Sequence, residues 1–243
     1  MKIAAAQIYS VDGNIQKNRA IHLSAIKKAA EMEVDYLAFP ELSLTGYDLE
    51  KAAGFAMTAD DPLLTPFRDA AKLHRMTIGI GAPLLENNMA KIGLFVILGS
   101  GEVETYAKIH LHSGETAYFT EGDAHHTLTI GNTRIANAIC ADTSHVSHVA
   151  SCADLGAEVY MAGVLLRAQA YKTETDALKE TARDRNLVIG IANHNRQTGG
   201  WIPCGRSAFW ERDKLLAEAD QTQDALVIAE KTEQGWVGSV TPL

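Results

Sequence analysis

The chain has 243 residues, 47% of them hydrophobic and 21% charged, a balance that supports a packed core and excludes a disordered, collagenous or coiled-coil protein. Its 22 basic residues against 30 acidic ones leave a net charge of −8, so it lacks the positive field that binding to a nucleic-acid backbone or an anionic membrane requires. The length suits one domain over residues 1–243; with no signal-peptide pattern after Met1-Lys2 and no apolar run longer than Ile92–Leu98, a cytoplasmic location is expected.

Lys2–Ile8 is short and apolar and runs into the turn-forming Ser10-Val11-Asp12-Gly13, as a buried strand does. From Asn14 helix formers take over, with Leu23, Ile26 and Ala30 spaced as one helical face and Lys27 and Lys28 turned outward near the helix's negative end. Val34–Phe39 reads as a second buried strand halted by Pro40, which completes a right-handed βαβ unit. A helix over about Pro62–His74 precedes strands at Met76–Gly81, Lys91–Gly99 and Glu102–Lys108, the last two joined by a hairpin at Ser100-Gly101. Thr127–Ile130 and Arg134–Ile139 flank Gly131-Asn132 as another hairpin. A helix over about Ser144–Leu155, strand Glu158–Met161, helix over about Thr173–Arg185 and strand Leu187–Asn193 follow. Strands Arg206–Trp210, Lys214–Ala217 and Ala225–Glu230 end the pattern. So many strands exceed one small open sheet, whereas two mixed sheets face to face with helices outside accommodate them.

Three reactive side chains stand just beyond predicted strands: Glu41, Lys108 and Cys140. Strand ends are where α/β folds place active sites. The set is chemically coherent, because a carboxylate can take a thiol proton, an ammonium can favour thiolate and oxyanion, and a thiol can attack a carbonyl or nitrile carbon. Taken singly, each has a plainer role: a cap for Glu41, a solvated charge for Lys108, a buried structural thiol for Cys140. Cys152 fits the apolar side of a helix and Cys204 a loop; three cysteines without tight spacing argue against a disulfide framework.

Phe39-Pro40-Glu41-Leu42 with Thr45-Gly46-Tyr47, Tyr106-Ala107-Lys108-Ile109-His110-Leu111 and Ile139-Cys140-Ala141-Asp142 together resemble the general-base, lysine and nucleophile motifs of the nitrilase, or carbon–nitrogen hydrolase, superfamily. Ala6-Gln7, Gly13-Asn14, Asn18, Gly156-Ala157-Glu158, Ala182-Arg183, Asn186, Asn193 and Gly205-Arg206-Ser207 extend the likeness over nearly the whole chain. The resemblance implies an α/β fold, a four-layer α-β-β-α sandwich, that assembles as a homodimer or larger homo-oligomer. It also implies Glu41 as general base, Cys140 as nucleophile, Lys108 as oxyanion partner and Glu115 as the second glutamate, with the Ala141 backbone N–H as a further oxyanion donor. The pattern departs after the cysteine, where Ala141 replaces a common aromatic residue and Thr143-Ser144-His145-Val146-Ser147-His148 replaces a familiar stretch. Substrate choice is therefore open, and Tyr47, His145 and Arg167 are candidate substrate contacts; Arg167, with Tyr171 close by in a loop, suits a substrate carboxylate.

The histidine-rich stretches His110-x-His112, His125-His126 and His145-x-x-His148 do not match a recognised zinc spacing, so neither a metal nor another cofactor is expected. The leading expectation is a cofactor-free hydrolase of a small linear amide or N-carbamoyl compound, acting through a cysteine thioester. A nitrilase and a glutamine amidohydrolase serving a separate partner are the alternatives within the superfamily. A catalytically silent binding protein of the same fold is the alternative of a different class.

Overall fold

The computed structural model describes residues 1–243. The first sheet combines β1 (Lys2–Gln7), β2 (Tyr36–Ala38), β3 (Thr77–Glu86), β4 (Met89–Ile97), β5 (Val103–Ala107), β12 (Ala225–Thr232) and β13 (Gly235–Pro242) in the order β13-β12-β1-β2-β3-β4-β5. The second combines β6 (His126–Ile130), β7 (Thr133–Ile139), β8 (Val159–Val164), β9 (Val188–Asn193), β10 (Ala208–Glu211) and β11 (Lys214–Glu218) in the order β11-β10-β9-β8-β7-β6. Each sheet has a parallel centre, β1-β2-β3 and β7-β8-β9, flanked by antiparallel strands. Helices α1 (Ile15–Glu31) and α3 (Thr65–His74) cover the first sheet, and α4 (Val146–Asp154) and α5 (Ala168–Arg185) cover the second. The short α2 (Leu49–Ala53) lies in the loop region between β2 and α3.

The period-2 geometry of a strand explains how one short segment serves two cores. In β1, Ile3 and Ala5 face the inter-sheet core beside Ile135, Val159, Met161 and Phe209, whereas Ala4 and Ala6 face the layer of α1 and α3 beside Ile26, Phe67 and Phe95. A third core lies between β7-β8-β9 and α4-α5, with Ala136, Tyr160, Ile189, Val149 and Leu178. The result is the α-β-β-α sandwich. Between the sheets, Tyr36 Oη donates to Asn137 Oδ1 at 2.5 Å, so a polar pair inside the apolar layer fixes their relative position.

Most predicted elements are present, and the differences have local causes. In α1 the buried face is Asn18, His22, Ala25, Ile26 and Ala29, rather than the row through Leu23 and Ala30. Asn18 and His22 are polar but fully bonded, so they belong inside: Asn18 Nδ2 donates to Leu44 O at 2.9 Å, and the His22 ring lies 2.7 Å from Asn18 O and 2.9 Å from Ser43 Oγ. Strands β3 and β4 run past Gly81 and start before Lys91 because Asn87 and Asn88, with φ of 52° and 60°, form the positive-φ turn that tight hairpins favour. Helix α5 begins at Ala168, so Tyr171 is helical rather than in a loop. Strand β13 escapes pattern reading because it is an exposed edge on which Trp236 is the residue that packs inward. No helix is long and apolar enough to cross a membrane.

Candidate active site

Two strand ends and one inter-strand turn deliver the charged floor of the site. Lys108 follows β5 directly, Cys140 follows β7 directly, and Glu41 lies in the buried turn after β2. That turn is held from all sides: Phe39 N–H donates to Gly79 O at 2.9 Å, Leu44 N–H to Gly81 O at 3.0 Å, and the His194 ring lies 2.8 Å from Glu41 O. Two glycines are required by its closeness to both sheets. A Cβ on Gly81 would meet Pro40 O at 2.2 Å, and one on Gly163 would meet Phe39 O at 2.6 Å. Leu42 and Cys140 take positive φ values of 49° and 43°, which L-residues adopt only where surrounding contacts hold them.

Within this frame Lys108 Nζ donates to Glu41 Oε1 at 2.7 Å and to Glu115 Oε1 and Oε2 at 2.7 and 2.9 Å. Exposures of 0% for Lys108 and 1% for each glutamate mean that these charges rely chiefly on one another to replace water. Glu115 is fixed further by the Tyr47 hydroxyl on Oε1 and by the His112 N–H on Oε2 at 2.8 Å. Glu41 Oε2, in contrast, has no hydrogen-bond partner. A buried carboxylate oxygen left unpaired beside a thiol is a free acceptor.

Burial pushes the Glu41 carboxyl up to about 7, against the pull of Lys108 and with the push of Glu115. Burial alone would lower Lys108, but the carboxylates around it more than offset that and hold its pKa above the ordinary value. Burial, followed by the Glu41 charge, drives the Cys140 thiol far above its usual range despite Lys108. The resting thiol is thus protonated at neutral pH, and attack by sulfur requires a base.

Behind the cysteine, Asp142 pins the turn. Its Oδ2 accepts from Ile139 N–H at 3.0 Å and from the Tyr106 hydroxyl at 2.6 Å, and its Oδ1 accepts from His110 N–H at 3.0 Å. A short 3-10 turn over Cys140–Ser144 then leads into α4. This strand–turn–helix step places Cys140 at a strained corner, a position suited to a nucleophile.

In front of the cysteine lies a cavity of about 390 Å³, lined by Tyr47, Leu49, His112, Glu115, Cys140, Leu165, Arg167, Glu174 and Trp201 among others. Asn193 shapes its wall: Leu166 N–H donates to Asn193 Oδ1 at 2.9 Å, and Asn193 Nδ2 donates to Leu166 O at 3.1 Å. Of the candidate contacts, Tyr47 and Arg167 line the cavity. Arg167 makes no ion pair, and its guanidinium carbon stands 4.6 Å from the Trp201 ring centroid. His145 is a correction: it lies outside the cavity lining, stacked on His110 at 3.7 Å with its Nδ1 2.9 Å from Ala141 O, so it braces the turn. Tyr171 points away, donating to Arg206 O at 2.7 Å. Ala141 is buried directly after Cys140 in the turn. Trp201 comes from the Gly199–Gly205 loop, which in folds of this kind can border the pocket, whereas Glu174 carried no motif signal and joins the site through α5.

The carbon–nitrogen hydrolase family profile matches residues 2–235, and the chain belongs to that family. An (R)-stereoselective amidase from a Pseudomonas species is 28% identical over 163 residues, which are 65% of this chain; the chain spans about 58% of that relative's length. The solved amidase from Nesterenkonia sp. AN1 is 22% identical and superposes with a TM-score of 0.88 over 96% of this chain and 94% of its own. Structures of two variants of that amidase carry an acetamide moiety covalently added at the active-site cysteine and, separately, butyramide; both align with a TM-score of 0.86, 22% identity, and coverage of 94% of this chain and 89% of theirs.

Proposed function

We propose that the protein is a thiol amidohydrolase that cleaves the C–N bond of a small linear amide or N-carbamoyl compound through a Cys140 thioester. The observation that carries this reading is the Lys108 bridge between Glu41 and Glu115 at 2.7 Å, with Glu41 Oε2 left unpartnered. A silent binding protein has no use for three buried charges held beside a thiol at such a desolvation cost. The amides held by the Nesterenkonia amidase support the same substrate class, and a cavity of about 390 Å³ suits a small molecule.

The cycle starts as Glu41 accepts the Cys140 proton while sulfur attacks the carbonyl carbon. Its raised pKa makes it a competent base and then a competent acid near neutrality. The Lys108 ammonium and the Ala141 N–H receive the charge that builds on the carbonyl oxygen; one well-aimed donor is worth about 3 kcal/mol to such a transition state. Glu41 returns the proton to the leaving nitrogen, ammonia or amine departs, and a thioester remains. Water, deprotonated by Glu41, attacks that thioester; the acid leaves and Cys140 recovers its proton. Glu115 and Tyr47 hold Lys108 in place throughout.

At the cavity mouth, Arg167 makes no ion pair, Glu174 lies within reach of its charge, and Trp201 is an apolar plate beneath it. Arg167 and Trp201 suit a substrate whose far end is a carboxylate. The test is ammonia release from ω-amides, aliphatic amides, N-carbamoyl compounds and nitriles by wild type and Cys140→Ala, with intact mass to trap the acyl-enzyme. Release and an acyl mass on the wild type alone are expected. Release that persists in Cys140→Ala would overturn the mechanism, and a preference for nitriles would reassign the substrate class.

A further inference from the structure

On the far side of the nucleophile turn, away from the cavity, the fold gathers three donors that the sequence keeps apart. His148 and Cys152 lie four residues apart on α4 and so share a face. His125, just before β6, reaches over to them. Cys152 Sγ is 3.9 Å from His125 Nδ1 and 3.8 Å from His148 Nδ1, and the three ligand atoms lie within 4.8 Å of one another. Sulfur and nitrogen bound to one tetrahedral zinc stand about 3.5 Å apart, given bonds of about 2.3 and 2.0 Å. Each sulfur–nitrogen pair therefore needs only a few tenths of an ångström of contraction.

The hydrogen bonds around His148 set which nitrogen is free. Tyr106 Oη is 2.6 Å from Asp142 Oδ2 and 2.9 Å from His148 Nε2. Asp142 also accepts two backbone N–H groups, so it acts as an acceptor and Tyr106 gives it the hydroxyl proton. His148 Nε2 must then carry hydrogen and donate to Tyr106, which leaves the lone pair on Nδ1, the nitrogen that faces Cys152. A carboxylate acting through a neighbour to fix the tautomer of a ligating histidine is the usual outer-shell arrangement of metal sites. Tyr160 Oη, 2.9 Å from Nδ1, is the group that a metal would displace from that lone pair.

We propose that His125, His148 and Cys152 form a binding site for a thiophilic divalent metal of the Zn²⁺ type, distinct from the catalytic cavity. His148 and Cys152 are buried, and the solvent-accessible His125 provides the entry side. Binding forms one metal–sulfur and two metal–nitrogen bonds, and the Cys152 thiol proton leaves to solvent. The histidine spacing gave no zinc pattern because the donors come from a loop and one helical turn rather than from a compact motif.

Titration of the full chain with Co²⁺ tests this, because a cobalt–thiolate bond gives a charge-transfer absorption that nitrogen and oxygen ligands lack. One equivalent should produce the band, and Zn²⁺ should bleach it. Cys140→Ala should keep the band, which separates this thiol from the nucleophile. Cys152→Ser should abolish it. His125→Ala changes an accessible residue and spares the buried core; it should weaken binding by more than the roughly 10- to 100-fold that loss of an outer-shell partner alone costs. Absence of the band in the wild type, its loss in Cys140→Ala, or unchanged affinity in His125→Ala would each overturn the proposal.

Discussion

At the floor of the cavity Glu41, Lys108 and Glu115 are at most 1% exposed, and each is fixed by contacts from more than one element. At its mouth Trp201 is 44% exposed, Arg167 stands in solvent, and one stacking contact joins them. The floor is built from ion pairs around one lysine at the edge of the first sheet, so loss of Lys108 leaves two buried carboxylates without a cation. The mouth is built from side chains that solvent already serves, so its members can change without disturbing the fold. This division lets one reaction be kept while the substrate varies.

The largest effect is expected where the floor loses its only cation. Lys108→Met would leave two buried carboxylates facing each other, with a stability loss of about 3–5 kcal/mol. Activity should fall at least about 10³-fold as the oxyanion loses its charged partner. Denaturant titration beside ammonia release would check both. If Lys108→Met is as stable as wild type, the floor does not depend on charge pairing and the contrast with the mouth fails.

Glu41 sharpens the comparison because its roles in stability and catalysis have opposite signs. Its folded pKa of about 7 lies above the ordinary 4.5, so between those values the folded state binds the proton more tightly than the unfolded state. Stability therefore falls as pH rises through that window, while the ionised base needed for catalysis accumulates. Wild-type kcat should drop as pH falls through about 7. Glu41→Gln, a mimic of the neutral acid, should lose about 10²–10³-fold in rate. At pH 8 it should unfold at no lower temperature than wild type, and any gain should vanish below pH 4.5, where wild-type Glu41 is protonated in both states. A Glu41→Gln protein that is less stable at pH 8 would show the carboxylate to be a net structural support.

The same division decides how much the sequence disclosed. Glu41, Lys108 and Cys140 stood out because each stands just beyond a predicted strand, and strand ends in an α/β chain converge. The paired sheets were legible from strand number and the alternation of hairpins with βαβ units. The loop carrying Trp201 was legible as a pocket border, but Glu174 was not, because α5 brings it to the cavity only after the second sheet has packed. His145 was misplaced for a related reason: chain proximity to Cys140 suggested the pocket, but the turn pinned by Asp142 carries it outside the cavity lining, against His110. The buried face of α1 was misjudged because Asn18 and His22 are internal through hydrogen bonding, which apolar spacing does not register.

The smallest effect belongs to the mouth. Arg167 is solvated, so its attraction for a substrate carboxylate is screened and worth about 1 kcal/mol, about a fivefold change in binding. Arg167→Ala should raise KM about fivefold for an amide bearing a distant carboxylate, and leave kcat and the KM of a neutral amide of equal length nearly unchanged. Glu174, half-buried on the same wall, should act in the reverse direction: Glu174→Gln removes a charge that repels the carboxylate and should lower that KM. Steady-state kinetics on the matched pair of amides separates the cases. Were Arg167→Ala to reduce kcat equally for both amides, the arginine would be acting on the floor through Leu165 and Leu166, which connect it to the cavity wall, and the mouth would not be an independent part of the site.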